Sequence, residues 1–97
     1  MNEYHSTHVV PHDHPCLAGH FPGNPIVPGV LILEQVAHAA AAWLGESLVI
    51  HQFSHVKFLS PLRPDERLEI FLSGERPQIR FRCECGGRLL AQGSFDV

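Results

Sequence analysis

The sequence predicts an α+β domain in which an antiparallel β-sheet wraps around one long buried helix. The run VLILEQVAHAAAAWLG, from Val30 to Gly45, is rich in Ala and Leu and is long enough for a single helix. The second half of the chain has alternating or β-branched and aromatic segments, separated by turns that contain Pro or Gly. A chain of 97 residues has room for one core, so residues 1–97 are expected to form a single domain.

The first elements are a strand, a loop and the helix. A short strand is expected at residues 4–10, and residues 11–29 form a Pro- and Gly-rich irregular loop. The helix is expected to begin near Pro28 and to end before Gly45. Proline is favoured in the first turn of a helix and glycine just past its end.

Four strands are expected after the helix, at residues 48–59, 67–73, 78–85 and 88–97. The connections between them are short, most clearly at Gly86-Gly87. Parallel pairing needs long crossovers, so neighbouring strands are expected to pair antiparallel as hairpins. A sheet of this kind buries one face against the helix, which gives a two-layer architecture.

The helix has apolar residues on nearly every face, so it is expected to be buried all round. Its length of about 16 residues, on the order of 24 Å, is below the roughly 20 residues that a membrane span needs. Glu34, Gln35 and His38 also interrupt the apolar run. No membrane association is expected, and MNEYHSTHVV lacks the features of a secretory signal, so the expected location is cytoplasmic.

The composition limits the classes of partner. Hydrophobic residues make up 44% of the chain and charged residues 18%, which favours apolar surface covered by another subunit. The formal charge of −3 and the absence of a Lys or Arg run argue against a nucleic-acid partner. An acidic carrier protein has a candidate docking site in a group of arginines, namely Arg63, Arg67, Arg80 and Arg82. Cys83 and Cys85 alternate on a predicted strand, as reduced packing thiols do.

The candidate chemistry lies in GHFPGNPIVPGVLILEQVAHAA, from Gly19 to Ala40. A carboxylate such as Glu34 is costly to bury in an apolar helix unless it is paired or functional, and desolvation favours the protonated form that a general acid needs. Two ordinary explanations stay open: an exposed edge of the helix, or pairing of Glu34 with His38 four residues on. His20, one of eight histidines, stands out only by its context.

This segment resembles the 3-hydroxyacyl-[acyl-carrier-protein] dehydratases of the FabZ and FabA type. Their signature is a catalytic His before Phe-Pro, a second Pro, then Pro-Gly-Val and a helix that bears the acid. The chain reads HFPGNPIVPGVLILE, with 14 positions from His20 to Glu34, and Glu in place of Asp is typical of the FabZ branch. The stretch HVKFLSPLRPDERLEI is similar more weakly, so the resemblance covers roughly residues 16–97. The order of elements is that of the hotdog fold of this family.

The resemblance implies a mechanism and a set of site residues. His20 is the base, Glu34 the proton donor to the leaving hydroxyl, and the N–H groups of Gly29 and Val30 at the helix N-terminus polarise the thioester carbonyl. Gly29 is expected to let the substrate approach the backbone closely. The remaining expected site residues are the loop residues Phe21, Pro22, Pro25 and Pro28, and His38 as a supporting neighbour. His38 is a departure, because the family usually has Gln there.

The resemblance also implies partners. The substrate is carried on the phosphopantetheine of an acyl carrier protein, and no cofactor is expected. The active site lies between two subunits, so a homodimer, a heterodimer with a related hotdog subunit, or a higher oligomer is expected. The short N-terminal segment resembles small dehydratases of aryl polyene or pigment pathways as much as those of general fatty-acid biosynthesis.

Three other interpretations compete with a dehydratase. A metal site is suggested by a cluster of residue types that bind zinc: His12, Asp13, His14, Cys16 and His20. Pro11 and Pro15 break this cluster and its spacing is not a strong ligand pattern, so no metal is expected. A hotdog acyl thioesterase would use a carboxylate to activate water. A non-catalytic subunit would bind an acyl chain or pair with an active dehydratase.

Overall fold

The structure is a computed structural model, and it describes residues 3–14, 26–45 and 48–97. These residues form one helix and five strands. The elements are β1 (Glu3–Val9), α1 (Gly29–Leu44), β2 (Gln52–Phe58), β3 (Arg67–Glu75), β4 (Gln78–Cys85) and β5 (Arg88–Asp96). The strands form one sheet in the order β1-β3-β4-β5-β2, and every pair is antiparallel. The predicted α+β class and the antiparallel sheet are confirmed.

The β4–β5 connection shows how the sequence specifies the pairing. Cys85 lies opposite Arg88, so only Gly86 and Gly87 form the turn. Both glycines have positive φ, 55° and 84°. A two-residue turn with positive φ at both positions matches the twist of the strands it joins, and glycine adopts that conformation without strain.

The largest boundary error is at the start of β2, and the other predicted strand ends differ from the structure by at most two residues. The sequence predicts a strand from residue 48, but β2 begins at Gln52, which lies opposite Asp96. β2 is an edge strand with β5 as its single partner, and β5 ends at Asp96. His51 still donates its backbone N–H to the Asp96 carbonyl at 2.9 Å, but residues 48–50 have no strand beside them. The length of the partner therefore sets the start of β2.

The core lies between α1 and one face of the sheet. Alternate residues of β3, β4 and β5 are fully or almost fully buried there, and the largest are Leu68, Ile70, Leu72, Ile79, Phe81, Leu90 and Phe95. From the helix, Leu31, Ile32, Val36, Ala39 and Ala40 face them. Cys83 is buried in the same layer as a free thiol, and burial raises its pKa to about 12. The prediction that Cys83 packs as a reduced thiol is confirmed.

The prediction that α1 is buried all round is wrong for the chain as it stands. A stripe of every fourth residue is exposed: Val30, Glu34, His38 and Ala42. The sheet covers only the opposite side of the helix, because a single five-stranded layer cannot enclose a cylinder. The chain therefore exposes a stripe of two apolar side chains, one carboxylate and one imidazole. No helix in the described ranges is long and apolar enough to cross a membrane.

Candidate active site

The N-terminus of α1 is held in place by backbone hydrogen bonds. Pro28 occupies the N-cap position with φ −59° and ψ 143°, and no side chain caps the helix. Leu31 donates its N–H to the Pro28 carbonyl at 3.0 Å, and Val27 donates to the carbonyl of Leu62 at 2.8 Å. The first N–H groups of a helix have no acceptor within it and carry the positive end of the helix dipole. The N–H groups of Gly29 and Val30 are therefore available to a carbonyl oxygen.

Gly29 has a neighbour that sequence reasoning did not identify. A Cβ atom at this position would lie 2.7 Å from Cζ and 2.9 Å from Cε1 of Phe58, at the end of β2. The space on the Cβ side of Gly29 is thus occupied by an aromatic ring, which is itself 53% exposed. Phe58 lies within HVKFLSPLRPDERLEI, the stretch in which the resemblance to the dehydratases is weaker. The sequence therefore contained a signal for this residue.

An apolar cavity of about 410 Å³ opens beside the same helix end. Its lining comes from the residues before α1, the first turn of α1 and the β2–β3 connection, chiefly Ile26, Val27, Ile32, Phe58, Leu59 and Leu62. A volume of this size is within the range of small-molecule sites, roughly 300–1,000 Å³. Because the lining is mostly hydrocarbon, the cavity suits an apolar group.

Glu34 does not line this cavity. It lies on the exposed stripe of α1, four residues after Val30, which is about 6 Å along the helix axis. Glu34 was singled out because it was expected to be buried, but it is exposed in the single chain. The alternative explanation, an exposed edge of the helix, is the one that fits the single chain.

His38 is close to a second histidine, His8 of β1. His8 is half-buried on the helix side of the sheet, and its ring Nε2 is 3.1 Å from the hydroxyl oxygen of Ser6. Burial lowers the pKa of His8, and the neighbouring His38 lowers this pKa further. The structure thus brings His38 to β1. His8 was not among the predicted site residues, although its place in the alternation of β1 beside Tyr4 and Ser6 was a signal for it.

The segment before the site is anchored by His12. Its Nδ1 lies 3.0 Å from Oδ2 of Asp65, and its backbone N–H donates to Oδ1 of Asp65, also at 3.0 Å. Asp65 has φ 69° and donates its own N–H to the Val10 carbonyl at 2.8 Å. Together these bonds tie the end of β1 to the β2–β3 connection.

Four predicted site residues, His20, Phe21, Pro22 and Pro25, lie outside the described residues, and so does Cys16. Their roles stay predictions. Within the described ranges, no three His, Cys, Asp or Glu side chains are grouped so that they could hold a metal ion. The part of the site that the structure describes is therefore the helix N-terminus, the apolar cavity and the exposed stripe with Glu34 and His38.

The chain is similar in sequence to known dehydratases. The family model described as ApeI-like, ApeI dehydratase, matches residues 1–94. A 3-hydroxyacyl-[acyl-carrier-protein] dehydratase FabZ from Caulobacter sp. (strain K31) is 32% identical over 95 residues, which cover 84% of this chain. The chain spans 58% of the length of that relative.

The chain is also similar in fold to solved structures. A chain of the dehydratase heterocomplex ApeI:P from Xenorhabdus doucetiae has a TM-score of 0.85 and 25% identity, over 98% of this chain and 86% of that one. An (R)-hydratase from A. caviae has a TM-score of 0.73 at 14% identity, over 96% and 90% of the two chains. The second likeness concerns the fold alone. The hotdog fold predicted from the sequence is confirmed.

Proposed function

Because the chain belongs to the ApeI-like dehydratase family, we propose that it removes water from a 3-hydroxyacyl thioester carried by an acyl carrier protein. The observation that carries this proposal is the place of Glu34. It is a carboxylate on an otherwise mostly apolar stripe, one turn below the uncapped N-terminus of α1. The carbonyl and the leaving hydroxyl of a 3-hydroxyacyl thioester are two carbons apart, so one helix end can serve both groups.

In the proposed reaction, the imidazole of His20 takes the proton from the carbon next to the thioester carbonyl. The electron pair of that C–H bond forms the new C=C bond, and the C–O bond to the 3-hydroxyl breaks. Glu34 gives its proton to the departing oxygen, which leaves as water. Negative charge that develops on the thioester oxygen is stabilised by the N–H groups of Gly29 and Val30.

The proposal requires a second subunit. Several large apolar residues around the helix N-terminus and the edge of the sheet are exposed, namely Val30 (71%), Phe58 (53%), Leu59 (53%) and Val49 (62%). Exposed apolar area of this kind is typical of an interface. We infer that another hotdog subunit covers the stripe of α1, so that His20 of one protomer faces Glu34 of the other. The similar chain from Xenorhabdus doucetiae is part of a dehydratase heterocomplex, which makes a related but different subunit a reasonable partner.

Mass spectrometry of a 3-hydroxyacyl carrier-protein thioester tests the reaction. The thioester is incubated with the full chain, both alone and together with a related hotdog subunit that is inactive by itself. Loss of one water supports the dehydratase, whereas release of the free acid identifies a thioesterase. Retained binding with no change of mass identifies a non-catalytic subunit. Both of the last two results overturn the proposal. The pathway is proposed to be fatty-acid or aryl polyene biosynthesis, and thioesters of the two kinds, compared as substrates, distinguish these.

Two variants test the residue roles. His20→Ala and Glu34→Gln are each expected to lower the rate of water loss by at least about a hundredfold, the usual contribution of a general acid or base. The matched controls are His51→Ala and Glu69→Gln, which make the same changes at residues that the proposal leaves without a role. Full activity in His20→Ala or in Glu34→Gln would show that the residue is not catalytic.

A further inference from the structure

The face of the sheet turned away from α1, here called the outer face, is organised in cross-strand rows. One row crosses all five strands: His5, Phe71, Arg82, Gln92 and Lys57. The next row consists of Glu3, Ser73, Arg80, Ser94 and Ser54. Side chains directly opposite each other on one face of a sheet are close enough to interact. The two rows therefore form a continuous surface.

A groove of about 750 Å³ follows these two rows. Lys57, Arg80 and Arg82 line it together with the imidazoles of His5 and His55, and Glu3 is the one acidic residue among the described lining residues. The groove is thus cationic, although the chain has a formal net charge of −3. Its volume is within the range of small-molecule sites, roughly 300–1,000 Å³.

The arginine at the centre of the groove is preorganised. The Arg82 guanidinium lies 4.6 Å from the centre of the Phe71 ring, and its Nε donates to a carboxylate oxygen of Glu84. The His5 ring stacks on the same phenyl ring with 4.5 Å between centroids. These contacts leave the terminal N–H groups of Arg82 as donors in a fixed orientation, and a fixed guanidinium fork matches the geometry of a phosphate.

A β-bulge brings Lys57 to the groove. Ser54 pairs with Ser94 and Lys57 with Gln92, so β2 has one residue more than β5 between these pairs. Without the extra residue, Val56 and not Lys57 would lie opposite Gln92. His55 within the bulge has φ 55°, which is uncommon for a residue other than glycine. Bulges redirect side chains, and this one places a cation where a regular strand would place valine.

Acidic residues on both sides restrict what can occupy the groove. Glu75 of β3 and Asp96 of β5 lie in the next row beyond the one that contains Arg80. The paired residues Glu69 and Glu84 lie in the next row beyond the one that contains Arg82. An acidic protein surface broad enough to cover the groove would lie against these carboxylates. A compact anion would contact Lys57, Arg80 and Arg82 without covering the flanking rows, so the charge pattern favours a small ligand over a carrier protein.

We propose that the outer-face groove binds a compact, multiply charged anion of the phosphate class, either a diphosphate or the phosphate of a nucleotide. Arg80 and Arg82 supply paired donors to the phosphate oxygens, Lys57 supplies a point charge, and the Ser73 hydroxyl and the Gln92 amide supply further hydrogen bonds. The groove is separated from the helix N-terminus by the sheet. This site is therefore distinct from the proposed dehydratase site.

Titration calorimetry of the full chain with inorganic pyrophosphate at low ionic strength tests the proposal. One pyrophosphate is expected to bind per chain, and Arg80→Gln and Lys57→Gln are each expected to raise the Kd about tenfold, the effect of one charge-assisted hydrogen bond. The matched control is Arg67→Gln, which removes the same charge from β3 outside the groove and is expected to leave the Kd unchanged.

Two results would overturn the proposal: no heat of binding at millimolar pyrophosphate, or equal weakening by all three substitutions, which would indicate attraction to net charge alone. A parallel titration with ADP, which lacks a pantetheine arm, distinguishes the sources of the phosphate. Tighter binding of ADP than of pyrophosphate assigns the groove to a nucleotide, and the reverse order assigns it to a free diphosphate. The readout is binding and not water loss, so it is independent of whether the chain is a dehydratase.

Discussion

At the scale of the residue, the chemical role of Glu34 depends on whether another subunit covers its carboxylate. The carboxylate is exposed in the single chain, between Val30 and His38 on the same stripe of α1. If a second subunit covers this stripe, the carboxylate loses its water, and desolvation disfavours the charged form. The same residue is then an ordinary surface carboxylate in the isolated chain and a proton donor in the assembly.

His8 offers a direct measurement of the contact between α1 and β1. His38→Gln is expected to move the pKa of His8 upward toward its ordinary value, because it removes the neighbouring imidazole that disfavours a second positive charge. The recovery is expected to be partial, since burial is the larger cause of the lowered pKa. The measurement is an NMR titration of the His8 ring protons.

The same shift determines how stability depends on pH. His8 binds its proton less readily in the folded chain than in the unfolded one, so stability falls as the pH drops from about 6.5 through the lowered pKa. His38→Gln should make this loss smaller. His51→Gln, a histidine for which no contact with His8 is seen, is the control. An unchanged His8 pKa in His38→Gln would show that the two rings do not interact.

At the scale of the element, the sequence predicted the helix and the strands well because their signals are local. Pro28 and Gly45 mark the ends of α1, and the Gly86-Gly87 pair specifies a hairpin. The start of β2 was missed because it depends on where β5 ends. The bulge at His55 was also missed, since the alternation of QFSHVKF does not show which residue is extra.

The candidate site was predictable to a different extent. The helix N-terminus and Glu34 follow from the sequence, and the structure places them one turn apart. The burial of Glu34 was wrongly predicted, because apolar residues on every side of a helix do not show whether its own chain or another covers them. Phe58 and His8 reach the site region only through the packing of β2 and β1 around α1, which residue spacing does not reveal.

The β2–β3 connection next to the cavity depends on Glu66. Its Oε1 accepts the Arg63 backbone N–H at 2.8 Å and lies 3.3 Å from Nη2 of Arg88. The hydrogen bond from the Arg63 backbone is the largest effect and lowers the pKa of Glu66. Burial opposes it, and the charge of Arg88 and its hydrogen bond lower the pKa further. A carboxyl whose pKa is lower in the folded chain stabilises the fold above its unfolded pKa, and this contribution is lost as the pH falls through the folded value.

Glu66→Gln is therefore expected to lower the melting temperature at neutral pH, and this effect is expected to shrink as the pH falls and the wild-type carboxyl takes up its proton. Thermal unfolding followed by circular dichroism between neutral pH and about pH 3 measures the difference. Glu3→Gln, which removes a carboxylate from the other edge of the sheet, is the control. A Glu66→Gln effect that is constant over this range would show that the charge of Glu66 does not stabilise the fold.

At the scale of the whole molecule, the two faces of the fold have different surfaces. The helix side exposes the stripe of α1 and the apolar side chains Val49, Phe58 and Leu59. The outer face is mostly polar, although Val9 is exposed at the end of β1, and it carries the groove with Lys57, Arg80 and Arg82. Association through apolar surface is therefore expected on the helix side, and the outer face stays open to a charged ligand.

The last prediction concerns assembly. Ala42 lies at the far end of the exposed stripe from the helix N-terminus, so Ala42→Glu puts a charge into the proposed interface without altering Gly29, Val30 or Glu34. Glutamate is a good helix former, so the fold of the chain should persist. Sedimentation velocity is expected to show at least a dimer for the wild-type chain and a species of 10.8 kDa for the variant.

Thr7→Glu is the matched control for assembly, because it adds the same charge on the outer face and is expected to leave the oligomer intact. Burying an unpaired charge in an apolar interface costs several kcal/mol of binding free energy. This is enough to dissociate a dimer of micromolar affinity. A wild-type chain that sediments as a monomer would contradict self-association. In that case, the stripe around Glu34 would have to be covered by a different hotdog subunit.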